Sequence, residues 1–251
     1  MSPETAYIVG FIAVLLLSLS WHEAAHAWVA DRLGDRTARE LGRVTLNPLK
    51  HLDPFLSVVL PAILIFLRLP VFGGGKPVPI NPQNFRTPRR DFMLVALAGP
   101  ASNIALAVGS AVIWAGLVWV EVIPPDEVAG GFIPPSMLVV LDDLAAVFGG
   151  AQGVDVDWPT FLLGAMVMLN SLLALFNLLP IPPLDGSRVI GWLLPRPLAR
   201  AWYGLDRFGI IILIAALVVF NAGQYIGPVL FSVVTEVFAA VDLLIDAKRY
   251  G

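Results

Sequence analysis

Long, mainly apolar stretches, separated by more polar segments, set the pattern along the chain. They cover residues 6–30, 55–69, 92–120, 161–182 and 208–230. A helix needs about 20 apolar residues to cross the hydrocarbon core of a bilayer, so all but 55–69 are long enough. We therefore predict transmembrane helices over 6–30, 92–120, 161–186 and 208–230.

The short stretch 55–69 has a different character from the others. Pro54, Pro61 and Pro70 interrupt it or flank it, and proline breaks a straight helix. Basic residues lie on both sides of it, which places both ends on the same face of the membrane. We predict that residues 54–91 form a re-entrant segment followed by a Gly/Pro-rich, β-like element on the cytoplasmic side.

The end of the chain carries a single polar stripe. Thr235, Ala239, Asp242 and Asp246 follow one another at spacings of four, three and four. These spacings share one face of a helix, so residues 231–246 are predicted to form an interfacial helix rather than another crossing.

Composition supports a membrane protein. The chain of 251 residues is 57% apolar and 14% charged, with a mean hydropathy of +0.80, whereas soluble domains are about a quarter charged. We predict one all-α polytopic domain over residues 1–251, in contact with the lipid bilayer and not with nucleic acid. The absence of cysteine excludes disulfides and thiolate ligands.

The distribution of charge predicts the orientation. The loop 121–160 has no basic residue and seven acidic ones, whereas the other long polar segments are basic. The positive-inside rule then puts the N-terminus outside and the basic loops in the cytoplasm of a multi-pass protein of the inner (plasma) membrane. Residues 25–27 resemble a signal-peptide cleavage site, but no basic residue precedes the apolar stretch.

The first predicted helix carries the sequence HEAAH at residues 22–26. His22 and His26 are four residues apart and share a helix face, so both imidazoles can bind one zinc ion. Glu23 can reach a water at that ion and act as general base. The alternative is a packing pair of histidines with a protonated Glu23, but ionisable groups in mid-membrane cost on the order of 3 kcal/mol each.

A catalytic zinc needs a third protein ligand and an open position. Arg32 occupies the place of a third histidine in the metzincin pattern, while Glu40 and His51 lie in cytoplasmic segments. Asp185 follows a proline-rich stretch that would end the third transmembrane helix and turn the carboxylate back. It reaches the level of the histidines only if 55–69 is re-entrant, because two crossings then separate the sites.

These motifs resemble those of the site-2 protease family of intramembrane zinc metalloproteases. HEAAH matches the family's H-E-x-x-H, and residues 177–186 match N-x-x-P-x-P-x-x-D-G. The blocks at 47–54, 73–81 and 98–103 are also similar to those of small bacterial and archaeal members. The resemblance implies that His22, His26 and Asp185 bind Zn²⁺ and that Glu23 is the catalytic base. It also implies that Asn177 and Asn103 lie near the site and contact the substrate or its oxyanion.

The resemblance has two departures. The external loop is shorter than a PDZ domain, and little chain follows the last helix, so we expect neither PDZ nor CBS-type regulation. Gly73, Gly74 and Gly75 open a segment that could hold an unwound substrate as an added strand. A flexible cytoplasmic loop is an equally good interpretation of these glycines.

The predicted function is hydrolysis of a peptide bond in or near the transmembrane segment of single-span membrane proteins, as in regulated intramembrane proteolysis. The competing hypothesis is a divalent metal transporter with the same His/Asp site. A transporter should carry further ionisable residues along several helices, and the sequence does not show them. The sequence makes no prediction of the oligomeric state.

Overall fold

The computed structural model describes residues 3–66, 74–120, 158–219 and 223–249. Within these ranges the regular structure is helical and contains no β-strand, which confirms the all-α class. The α-helices of the described ranges are α1 Pro3–Leu33, α2 Thr37–Glu40, α3 Leu60–Phe66, α4 Pro88–Trp119, α5 Trp158–Asn177, α6 Gly186–Leu193, α7 Arg196–Tyr203, α8 Gly209–Val218 and α9 Gly223–Arg249.

Four helical stretches of the described chain are long and apolar enough to cross a membrane. They are Thr5–Leu33, Pro88–Trp119, Trp158–Asn177 and Arg196–Val218. Ile104, Val108 and Val112 are exposed on α4 at every fourth position, and residues four apart on a helix form one stripe. An exposed apolar stripe of this kind faces lipid, and the protein is a multi-pass membrane protein.

The fourth span differs from its predicted position. Helix α8 ends at Val218 and α9 begins at Gly223, so the predicted helix 208–230 is divided between two elements. The predicted boundary between 230 and 231 lies inside α9. Hydropathy could not locate this division because both sides are apolar, whereas glycine at position 223 favours a helix end.

The segment after Asp53 turns back on itself. A π-helical turn, Phe55–Val59, leads into α3, whose described residues alone are too few to cross a bilayer. Gly74 then lies beside the start of the segment, because its N–H donates to the Leu56 carbonyl at 3.1 Å and its carbonyl accepts from Ser57 Oγ at 2.8 Å. Both ends of the segment therefore lie together, as a re-entrant path requires; its entry into the membrane stays a prediction.

The chain forms two compact units. The first comprises Met1–Ser18, Ile104–Leu172 and Val229–Gly251. In this unit Tyr7 of α1 stacks on Trp158 of α5 with ring centroids 4.5 Å apart. Asn170 of α5 donates to Ser18 Oγ at 2.9 Å, an interhelical hydrogen bond of the kind that joins helices in lipid.

The second unit comprises Leu19–Asn103 and Leu173–Pro228. One apolar cluster in it joins the C-terminal half of α1 to α4 through Ala30, Phe85 and Val95. The N-terminus of α4 is tied to the end of α6, because Arg89 Nη2 donates to the Trp192 carbonyl at 2.9 Å. This unit contains the predicted metal ligands.

Candidate metal centre

The two histidines of HEAAH converge as their helical spacing predicts. His22 and His26 lie one turn apart on α1 and are buried, with 4% and 7% of their surface exposed. Their Nε2 atoms are 3.0 Å apart. The two rings therefore present the same atom to a common point.

Asp185 reaches this point from a distant part of the sequence. Helix α5 ends at Asn177, and the proline-rich stretch that follows leads back to Asp185 before α6 begins. Its Oδ2 lies 3.2 Å from His22 Nε2 and 3.3 Å from His26 Nε2. Gly186 makes the turn possible, because a β-carbon there would collide with the Leu178 carbonyl.

The other nitrogen of each imidazole fixes the ring. His26 Nδ1 lies 2.7 Å from the Val95 carbonyl oxygen, and His22 Nδ1 lies 2.5 Å from Asn103 Oδ1. Because both partners accept hydrogen bonds, each neutral ring carries its proton on Nδ1 and a lone pair on Nε2. Ligand histidines in metal sites are oriented in this way.

The donor set fits a zinc ion. Two lone pairs and a carboxylate oxygen at 3.0–3.3 Å repel one another unless a cation lies among them. In a tetrahedral zinc site with bonds of about 2.0–2.1 Å, neighbouring donors are about 3.3 Å apart. Among the described residues this is the one group of three or more acidic or histidine side chains that could hold a metal ion.

Gly99 of α4 leaves space in front of the ligands. A β-carbon at this position would lie 2.5 Å from His26 Nε2 and 2.6 Å from His22 Nε2. Any side chain there would occupy the region toward which both Nε2 atoms point. The glycine therefore keeps the coordination space free.

Glu23 follows His22 on α1 and contacts the segment 74–81. Its Oε2 accepts a hydrogen bond from the backbone N–H of Val78 at 3.2 Å. Its other oxygen, Oε1, lies near Gly75, where a β-carbon would be 3.7 Å away. Glu23 thus has one oxygen held by the backbone and a second one beside the glycine that lines the cavity.

His22, Glu23, His26 and Asp185 all line one cavity of about 420 Å³. Most of its lining is apolar, and the apolar residues include Leu19, Phe176, Ile210 and Leu213. The polar side chains in the lining are His22, Glu23, His26, Asn177, Asp185 and Arg188. An apolar cavity with a few convergent polar groups is typical of a binding or catalytic site.

The predicted site residues are distributed as follows. The structure brings His22, His26 and Asp185 together, and Asn177, Gly74 and Gly75 line the cavity beside Glu23. Asn103 is fully buried against His22 and is not in the cavity lining. Gly73 lies outside the described residues. The roles assigned to these residues stay predictions.

The sequence did not predict the partners of the imidazoles. Val95, Gly99 and Asn103 are spaced by four along α4, so they share one helix face, and that face meets His22 and His26. The signal was present in the spacing of Gly99 and Asn103. It could not be read as a ligand contact without knowing which face of α4 turns toward α1.

A helical multi-pass membrane protein that brings together two imidazoles and a carboxylate, with a glutamate beside them, has the side chains expected of a membrane metallopeptidase. The sequence profile of peptidase family M50 matches residues 10–216. The chain therefore belongs to peptidase family M50, which confirms the resemblance to site-2 proteases, and it is a zinc metallopeptidase.

Individual relatives agree with this assignment. The chain is 34% identical over 219 residues to the Bacillus subtilis protein named "Putative zinc metalloprotease YwhC", covering 86% of this chain and 82% of that one. It is 29% identical over 228 residues to Rip2 of Mycolicibacterium smegmatis, covering 85% and 69%, and 30% identical over 213 residues to Rip2 of Mycobacterium tuberculosis, covering 83% and 68%. Both of these relatives are named "Putative zinc metalloprotease Rip2". No solved structure matches the chain.

The metal transporter hypothesis receives no support from these findings. The relatives are named as metalloproteases, and the described residues contain one candidate metal group rather than a series along several helices. The names of the relatives support zinc as a cofactor.

Proposed function

We propose that this chain hydrolyses a peptide bond in or beside the transmembrane segment of a single-span membrane protein, as a step of regulated intramembrane proteolysis. One observation carries the proposal. Two of the three candidate ligands, His22 and His26, and the candidate base Glu23 belong to α1, a helix able to span the membrane, and together with Asp185 they line a largely apolar cavity. A site in this position is suited to apolar segments that a soluble protease does not meet.

His22, His26 and Asp185 hold the zinc in this proposal. When bound there, zinc supplies a Lewis acid that polarises the scissile carbonyl and makes water nucleophilic near neutral pH. Asn103 Oδ1 and the Val95 carbonyl keep both imidazoles in the tautomer that leaves Nε2 free. The rigid hold on the rings preorganises the site for one geometry.

Glu23 moves the proton. Its Oε2 is held by the Val78 N–H, so we assign proton transfer to Oε1. Oε1 takes a proton from the attacking water and passes it to the amine that leaves when the C–N bond breaks. Each cycle then returns Glu23 to the carboxylate form, and the net change is addition of one water across the peptide bond.

The substrate lies along the returning segment of the chain. Gly74 and Gly75 line the cavity next to Glu23. A β-carbon at Gly74 would meet nothing within 4 Å, and a second backbone can bind beside this segment as an added strand. Asn177 lines the same cavity, and its Nδ2 donates to the Leu173 carbonyl at 2.9 Å. We assign Asn177 to contacts with the substrate or its oxyanion.

The same proposal includes location and orientation. The basic segments 31–53 and 183–207 adjoin the residues that supply the ligands, whereas the acidic segment 121–160 has no Lys or Arg. The positive-inside rule then favours the plasma membrane, with the N-terminus outside and the site toward the cytoplasm.

Zinc analysis combined with cleavage of a reporter tests the proposal. Purified wild-type protein, His22→Ala, Asp185→Ala and the control Glu40→Gln, at an exposed residue, are reconstituted with a single-span segment between two soluble tags. We expect about one zinc per chain in wild type and Glu40→Gln, and loss of zinc and cleavage in the two ligand variants. Mass spectrometry of the products locates the bond; zinc retained in both ligand variants, or cleavage restricted to the tags, would refute the proposal.

A further inference from the structure

Residues 74–81, here named the wall, form one side of the cavity. Gly75, Val78 and Ile80 are among the lining residues. The wall is irregular and extended, so backbone hydrogen bonds to other segments hold it in place. The Lys76 N–H donates to the His51 carbonyl at 2.6 Å, and the Val78 N–H donates to Glu23 Oε2 at 3.2 Å.

A buried arginine grips the middle of the wall. Arg43 is 6% exposed, and its Nη2 donates to the Lys76 carbonyl at 2.6 Å. The ion pairs of the described residues do not include Arg43. Burial of a cation without a counter-ion is costly. The hydrogen bond to the Lys76 carbonyl offsets part of this cost.

A buried carboxylate grips the end of the wall. Asp35 is fully buried, and its Oδ2 accepts from the Asn81 N–H at 2.7 Å. Its Oδ1 accepts from Asn84 Nδ2 at 2.9 Å and from Thr37 Oγ1 at 2.5 Å. Hydrogen bonds to an ionised carboxylate are about twice as strong as neutral ones, so this end of the wall is firmly fixed.

The two charged residues hold the wall on either side of Val78. Arg43 binds two residues before it and Asp35 binds three residues after it. Val78 itself contacts Glu23, so the distance between the wall and the base depends on both anchors.

We infer that Asp35 and Arg43 are positioning residues of the protease site, which hold the wall in register with Glu23 and thereby place the bound substrate. This inference rests on the proposed function. It extends the active site to two charged side chains outside the cavity. Misplacement of a reactive group by about 1 Å can lower a rate on the order of 100-fold.

The chain offers a matched control pair. Asp31 and Arg39 lie close in sequence to Asp35 and Arg43 and carry the corresponding charges. They form an ion pair with a distance of 2.7 Å between Oδ2 and Nη2. In the described structure their ion pair does not involve the wall. Asp31→Asn and Arg39→Gln therefore remove the same charges without releasing the wall.

The test combines a spin label with kinetics. Since the chain has no cysteine, Lys76→Cys provides a unique labelling site on an exposed side chain of the wall. The electron paramagnetic resonance line shape then reports the mobility of the wall in Asp35→Asn, Arg43→Gln and the two controls. Zinc content, kcat and KM for the single-span reporter are measured on unlabelled proteins.

We expect a mobile component in the spectra of Asp35→Asn and Arg43→Gln, a fall in kcat/KM of about 10- to 100-fold and unchanged zinc content. The controls should match wild type in all three. An immobile wall, or a mobile wall with unchanged kcat/KM, would overturn the inference. Loss of zinc from either variant would also overturn it, because the residue would then support the ligands.

The outcome is separable from that of the proposed function. If the wild-type protein does not cleave the reporter, the proposed function fails. The line shapes still decide whether Asp35 and Arg43 hold the wall, because they do not depend on activity.

Discussion

His22 and Asn103 meet through a contact of 2.5 Å between Nδ1 and Oδ1, and both side chains are buried. Asn103→Leu keeps the branched shape of the side chain but removes the acceptor. Loss of such an orienting partner lowers metal affinity by about 10- to 100-fold. We expect this weakening in a competition titration with a zinc chelator, whereas Asn103→Asp, which still accepts the hydrogen bond, should bind zinc at least as tightly as Asn103→Leu does.

Asn170→Leu is the control for that experiment. Asn170 is also fully buried and also bonds to α1, but its partner is Ser18 in the other unit. Its replacement should leave the zinc affinity at the wild-type value. Equal affinities for Asn103→Leu and Asn170→Leu would contradict an orienting role of Asn103.

Replacement of Glu23 separates metal binding from proton transfer. Glu23→Gln keeps the hydrogen bond from Val78 but cannot take a proton. Loss of a general base lowers a rate by about 100- to 10,000-fold. We therefore expect the cleavage rate to fall by at least about 100-fold while the zinc content stays normal. Exposed Glu40 gives the control Glu40→Gln; residual cleavage within tenfold of wild type would remove Glu23 from the role of base.

A methyl group at position 99 should exclude the metal. It would lie 2.5–2.6 Å from both Nε2 atoms, so Gly99→Ala must displace the imidazoles or occupy the coordination space. We expect zinc content to fall several-fold, together with cleavage. Gly109→Ala on the same helix is the control, because a β-carbon there meets nothing within 4 Å. Full zinc occupancy in Gly99→Ala would show that the site is wider than described.

The anchor at Asp35 predicts a dependence of stability on pH. Burial raises the pKa of Asp35, but hydrogen bonds from Thr37, Asn84 and Asn81 outweigh it and lower the pKa below its ordinary value. A depressed pKa gives stability that is complete above the unfolded value of about 3.9. That stability is lost as the pH falls through the folded value.

Thermal unfolding of the zinc-free protein in detergent, followed by tryptophan fluorescence, measures this effect. Wild type and Asp35→Asn are both treated with chelator, so that the release of metal in acid does not contribute to the measured change in stability. Wild type should lose thermal stability as the pH falls below about 3.9, and Asp35→Asn should lose less over the same range. Parallel curves for the two proteins would assign the effect to other carboxylates.

The sequence predicted the features that local patterns determine. The number of spans follows from apolar length, and the convergence of His22 and His26 follows from a spacing of four. Asp185 was predicted because prolines end α5 and because only one topology brings both ligand segments to the same level. Each of these depends on short-range geometry or on simple counting of crossings.

The remaining features depend on packing between distant segments. Arg43 and Lys76 are 33 residues apart, and Asp35 and Asn81 are 46 apart, and no periodicity connects them. Asn103 was assigned to substrate contact by resemblance, whereas the structure places it against His22. The rotation of α4 decides this, and rotation is set by the surfaces of neighbouring helices.

The candidate ligands come from two regions with most of the chain between them, namely α1 and the turn before α6. A single ion bound by both regions would cross-link them and would restrict the conformations open to the unfolded chain, as other cross-links do. Occupancy would also favour the folded state by mass action. Scarcity of the metal in a cell would then loosen the fold itself, so that the abundance of the enzyme, as well as its turnover, would follow metal supply.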